Sequence, residues 1–187
     1  MTLAAADCLR ELKVLKLDRC EIPEDSGVRF VDSALFLEGL HSLDVSHNHF
    51  GNAGLEAILK RASQTLHTLR LRDNSLNGAG VAVLTNSPAS NTFMELDLAD
   101  NGLTSASRRA LGTTDQLQRL LVLHAGDNRQ LGYKPLALSP LGQRLKLLNV
   151  EQADPWYEGY LPPDETMPYF DAYTESEDDD EDWDDDE

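Results

Sequence analysis

The chain has 187 residues, 41% hydrophobic and 26% charged, enough for one domain with a sizeable core. No apolar run approaches the roughly 18–20 residues that span a bilayer, and the start MTLAAADCLREL lacks the basic opening of a signal peptide. The net charge of −17 excludes the basic footprint that a nucleic-acid backbone needs, so neither direct nucleic-acid binding nor a membrane role is expected.

Residues 1–11 offer one or two helical turns around Ala4–Arg10 as a short N-terminal cap. Cys8 and Cys20 are too few for a disulfide framework, which points to a reducing compartment, the cytoplasm or nucleus. From residue 12 one pattern recurs, L-x-x-L-x-L-x-x-N-x-L. It runs Leu12, Leu15, Leu17, Cys20, Ile22; then Leu40, Leu43, Val45, Asn48, Phe50; then Leu66, Leu69, Leu71, Asn74, Leu76. It returns as Phe93, Leu96, Leu98, Asn101, Leu103, as Leu120, Leu123, Ala125, Asn128, and as Leu145, Leu148, Val150, Ala153. The starts at 12, 40, 66, 93, 120 and 145 are 25 to 28 residues apart.

Each part of the pattern has a physical job. Alternate leucines point inward from a short strand, and six such strands joined by crossovers stack into a parallel sheet. The asparagine answers backbone groups exposed where the chain turns, so stacked copies form a buried polar ladder. Cys20 stands at that position in the first copy and is expected as a small buried thiol. The second halves, Asn52–Lys60, Gly78–Leu84 and Thr104–Leu111, carry apolar residues at helical spacing. Val28–Gly39 predicts a longer apolar helix in the first copy, whereas Pro135 and Pro140 argue against a regular one in the fifth.

A unit of this length, with an outer helix and an A-G-hydrophobic helix entry in two copies, resembles the ribonuclease-inhibitor-like class of leucine-rich repeats over about residues 12–150. The resemblance implies an α/β solenoid of about six repeats, a curved arc with a concave parallel sheet and convex helices. It implies no single function. The expected organisation is a repeat domain over 1–153, an aromatic capping segment over 154–170 (Trp156, Tyr157, Tyr160, Leu161, Met167, Tyr169, Phe170), and a disordered acidic tail over 171–187. That tail holds 12 acidic residues and no basic one, too charged to bury a core. Within it Trp183 is a candidate apolar or cation–π anchor, and Thr174 and Ser176 match an acidophilic kinase pattern.

Residues between the leucines line the concave sheet. The central column is Lys16, Asp44, Arg70, Asp97, His124 and Asn149; the next holds Asp18, Ser46, Arg72, Ala99, Gly126 and Glu151; the one before holds Val14, Ser42, Thr68, Glu95, Val122 and Leu147. Adjacent strands lie about 4.8 Å apart, which makes Asp44, Arg70 and Asp97 near neighbours. Lys16, Asp44, Arg70, Arg72, Asp97, His124 and Glu151 are therefore the candidate partner-binding residues, with the two arginines as anchors. His41 and His67 occupy equivalent positions. No motif of nucleophilic, phosphate-binding or metal chemistry appears, and no cofactor is expected.

These features point to a non-catalytic protein-interaction module, a monomer or a subunit of a larger complex. Its acidic tail would attract a basic partner of the histone or ribosomal-protein type. Two alternatives are the recognition arm of a larger assembly, such as a ubiquitin-ligase receptor, and a GTPase regulator. The latter follows from a resemblance in layout to Ran GTPase-activating proteins, although no residue here matches an activating arginine.

Overall fold

The computed structural model describes residues 9, 11–62, 64–128 and 133–150, and the backbone of 169–171. Strands and helices alternate: β1 (Val14–Lys16), α1 (Glu24–Ser33), β2 (Ser42–Asp44), α2 (Gly51–Arg61), β3 (Thr68–Arg70), α3 (Gly78–Asn86), β4 (Glu95–Asp97), α4 (Ser105–Thr113), β5 (Val122–His124), α5 (Tyr133–Ala137), β6 (Leu147–Asn149) and β7 (Tyr169–Asp171). The strands form one sheet in chain order, each pair parallel. Its sixth strand closes the repeat series. β7 extends the sheet by one strand and carries Asp171, the first residue of the acidic run.

Every strand is three residues long, and in β1 to β6 the middle residue belongs to one leucine ladder. Leu15, Leu43, Leu69, Leu96, Leu123 and Leu148 sit in register across the sheet. From Leu43 onward they are almost fully buried, each worth roughly 1.5–3 kcal/mol of transfer energy. The flanking residues of β1 to β6 face the other side, because side chains alternate along a strand. Successive helices α1 to α4 pack on one another and cover the core from the convex side.

The asparagine ladder stitches the repeats together. Asn48 donates from Nδ2 to the Leu17, Val45 and Ser46 carbonyls at 2.8–2.9 Å, and its Oδ1 accepts from the Cys20 and Ile22 N–H groups. Asn74 donates to the Val45 and Arg72 carbonyls, both at 2.9 Å, and accepts from Phe50 N. Asn101 and Asn128 repeat the arrangement one unit on. Each asparagine thus satisfies the turn of the preceding repeat as well as its own.

Two expectations are corrected. Cys20 is exposed, with Sγ 3.5 Å from the Asp18 carbonyl. β1 is the first strand of the sheet, and among the described residues no repeat covers its outer side. The long helix expected over Val28–Gly39 is divided as well. α1 starts earlier, at Glu24, and stops at Ser33; Ala34 is extended and fully buried, and a 3-10 turn follows over Leu35–Gly39. The break lets Phe36, Leu37 and Leu40 descend into the core before β2. In the fifth repeat α5 is five residues long, with Pro135 in its first turn, where the missing N–H costs no helical bond. The cap expected at residues 1–11 and the segment 154–170 lie almost wholly outside the described residues, and so does the tail beyond Asp171.

Candidate protein-interaction surface

The concave face is built by the first and third residues of β1 to β6 and, over the first five of these, by the turn that follows. Register places Lys16 beside Asp44, Asp44 beside Arg70, Arg70 beside Asp97, and Asp97 beside His124. Proximity along this column does not decide the pairing, however. Arg70 donates from Nε and Nη2 to Oε1 of Glu95 at 3.0 and 2.7 Å, a diagonal contact to the next strand. Its Nη1 stays 3.9 Å from Oδ2 of Asp44. Arg72 Nη2 donates to Oδ2 of Asp127 at 3.1 Å, two repeats away.

The two column aspartates do not reach solvent. Asp44 is 1% exposed and its Oδ1 accepts from Ser46 N at 3.0 Å; Asp97 is 3% exposed and its Oδ1 accepts from Ala99 N at 2.9 Å. Both carboxylates brace the turn that leaves their own strand. Burial raises the pKa of Asp97 above its ordinary value, against the Ala99 N–H and the charges of His124, Arg72 and Arg70. Burial also lowers that of His124, opposed by Asp97 and Glu95. Each group is therefore held towards its neutral form by the same dry surroundings. His124 Nδ1 is buried and has no hydrogen-bond partner among the described residues.

Ser46, His47, Arg70, Arg72, Glu95, Asp97 and His124 enclose a hollow of about 60 Å³ at the middle of the face. It is far smaller than the roughly 300–1,000 Å³ of metabolite pockets. The turns that follow the strands hold a row of residues in the left-handed region, Arg19, His47, Asp73, Asp100 and Asp127, with φ between 49° and 55°. Aspartate and histidine tolerate that conformation better than most residues. His47 Nδ1 lies 3.1 Å from Oδ2 of Asp73 and its Nε2 3.4 Å from Arg19 Nη2. Among the described residues no three His, Cys, Asp or Glu side chains are grouped to hold a metal ion, and no helix is long and apolar enough to cross a membrane.

Residues 40–59, 62–84 and 89–112 match the family model described as Leucine Rich repeat. These three segments are leucine-rich repeats, and the fold that contains them is an α/β leucine-rich-repeat solenoid. No curated protein matches its sequence. Among solved structures it is similar to leiomodin-1 actin-binding site 2, at 17% identity and a TM-score of 0.44, over 76% of this chain and 72% of that one. It is also similar to the tropomodulin C-terminal domain from Caenorhabditis elegans, at 16% identity and a TM-score of 0.46, over 70% and 83%.

Within the leucine-rich repeats, the structure brings Asp44, Arg70, Arg72, Asp97 and His124 into one network. Lys16 lies at its edge, on β1. Glu151, Thr174, Ser176 and Trp183 lie outside the described residues. His41 and His67 stack edge-on, with ring centroids 5.9 Å apart. Residue spacing missed Glu95 and Asp127 as partners of the arginines. A signal existed for the second. Ala99 and Gly126 follow Arg72 in its column, and both are small and buried, so the guanidinium can lie across them.

Proposed function

We propose that this chain is a non-catalytic protein-interaction module whose concave leucine-rich face contacts a folded partner, with residues 171–187 drawing in a basic protein. The observation that carries this is the state of Arg70 and Arg72. Both are partly exposed, at 25% and 14%, yet each is clamped by a carboxylate from another repeat. Contact side chains already held in one conformation lose little entropy on binding. The hollow between them is too small for a metabolite but suits a side chain, and solenoids present such extended faces to proteins. Lys16, Arg70, Arg72, His124 and Glu151 form the contact set, with Asp44 and Asp97 positioning it. In the tail, Trp183 serves as an anchor, and phosphorylation at Thr174 or Ser176 would deepen the negative charge. A histone-like or ribosomal-protein-like partner in the cytoplasm or nucleus fits this charge.

Affinity capture with four proteins tests this: the intact chain, Arg70→Gln/Arg72→Gln, a truncation removing 172–187 that preserves β7, and the convex control Glu56→Gln. Partners lost with the arginine pair but kept by the control are clients of the concave face. Partners lost with the tail alone bind in a salt-sensitive way. Unchanged capture by all four, with folding verified by circular dichroism, rejects the concave face as the contact surface.

A further inference from the structure

The charge balance at the centre of the concave face is unequal. Among the described residues two guanidinium groups, Arg70 and Arg72, meet four carboxylates, Asp44, Glu95, Asp97 and Asp127, a formal sum of −2. With Asp97 protonated the sum is still −1. Beside the lining residue His47, Asp73 and Arg19 offset each other and leave that sum unchanged. Nε and Nη2 of Arg70 share Oε1 of Glu95, and the Ala99 N–H lands on Oδ1 of Asp97. The second oxygen of Glu95 is the acceptor left for the hollow that it lines, and that of Asp97 accepts as well once the carboxyl is ionised, which an incoming cation favours. His124 lines it too. Burial favours the neutral imidazole, which offers one accepting nitrogen, and its Nδ1 is unpaired among the described residues.

We propose that this hollow receives a lysine or arginine side chain from the partner, its charged head seated against Glu95, Asp97 and His124. An anionic side chain would have to take Arg70 from Glu95 or Arg72 from Asp127 and would increase an existing negative excess. A cation reduces that excess and finds acceptors ready. The volume of about 60 Å³ admits an ammonium or guanidinium head and leaves the aliphatic stem on the concave sheet. This rests on the concave face being a contact surface, and it specifies the chemistry of the residue that enters.

The test uses the full chain labelled with nitrogen-15, titrated at constant ionic strength with ethylguanidinium chloride, n-butylammonium chloride and sodium propionate. The expected result is saturable shifts of the Glu95, Asp97 and His124 amides with either cation and none with propionate. The cation affinity should weaken at least tenfold in Glu95→Gln and stay unchanged in the convex variant Glu56→Gln. Saturable shifts with propionate, absence of saturation with both cations, or cation shifts that persist in a folded Glu95→Gln protein would each overturn the proposal. Capture that still depends on the arginines in any of those cases would preserve the concave contact surface and discard only the basic side chain.

Discussion

Arg72 reaches past a whole repeat to bond Asp127, Nη2 to Oδ2, at 3.1 Å. The carboxylate lies two strand spacings away, about 9–10 Å along the sheet. The contact exists because Ala99 and Gly126 present no bulk between them. Both partners are mostly shielded, at 14% and 22% exposure, so the pair is stronger than a surface ion pair.

A double-mutant cycle measures it. Arg72→Ala and Asp127→Asn should each lower the urea midpoint, with a coupling energy of about 1 kcal/mol between them. Additive effects would mean that the bond contributes nothing to stability.

The asparagine ladder predicts a contrast between interior and edge. Asn74→Ala removes the bonds to the Val45 and Arg72 carbonyls and to Phe50 N in a fully buried position, and should cost about 3–5 kcal/mol. Cys20→Ala, at the equivalent position of the exposed first repeat, should cost less than about 1 kcal/mol. Equal losses in thermal or urea unfolding would show that the first repeat is packed like the interior ones.

Glycines at the helix interface predict a second contrast. A Cβ on Gly54 would lie 2.8 Å from the Phe50 side chain, which is fully buried and also touches the site of any Cβ on Gly27. Gly54→Ala should therefore destabilise by about 1–3 kcal/mol despite the better helix propensity of alanine. Gly78→Ala would meet only Ser107 Oγ at 3.8 Å and should be neutral, or stabilising by up to about 1 kcal/mol. Melting temperatures of the two variants should move in opposite directions or differ by several degrees.

The Asp97–His124 neighbourhood predicts a pH dependence of opposite sign at its two ends. Burial depresses the proton affinity of His124 in the folded state, so the unfolded chain binds more protons below the ordinary value of 6.5. The stability it contributes is present above that pH and is lost as pH falls towards the folded value, by at most about 1.4 kcal/mol per pH unit. Asp97 runs the other way. Its raised value means stability is lost as pH climbs from 3.8 through the folded pKa. As pH falls through 6.5 the histidine contribution is lost, and His124→Gln should flatten that part of the fall in the urea midpoint. Identical profiles for the two proteins would remove His124 from this role.

Several features were legible before any coordinates. Five intervals of 25 to 28 residues set the strand register, and with it the leucine column and the asparagine positions, because a repeated strand must stack on its copy. The adjacency of Asp44, Arg70 and Asp97 and the meeting of His41 with His67 follow from that register. Which carboxylate Arg70 holds does not follow, since a long side chain on a curved sheet can reach the residue opposite or the one diagonal to it. It takes Glu95, while both column aspartates turn back onto their own backbone. Cys20 was misplaced for a related reason. Its motif position is interior in a repeat, but burial depends on what lies on the far side of the strand.

By itself, then, the sequence determined the solenoid. Apolar residues three and five positions after each repeat start, with an asparagine three further on in four of the six copies, leave a short strand one way to bury its apolar side. The tertiary structure decided the character of the concave face: two braced arginines, two buried aspartates and a small hollow of about 60 Å³ between them. Those properties arise between repeats, from side-chain reach, from the small residues at 99 and 126 and from desolvation. None of these is a property of any single repeat.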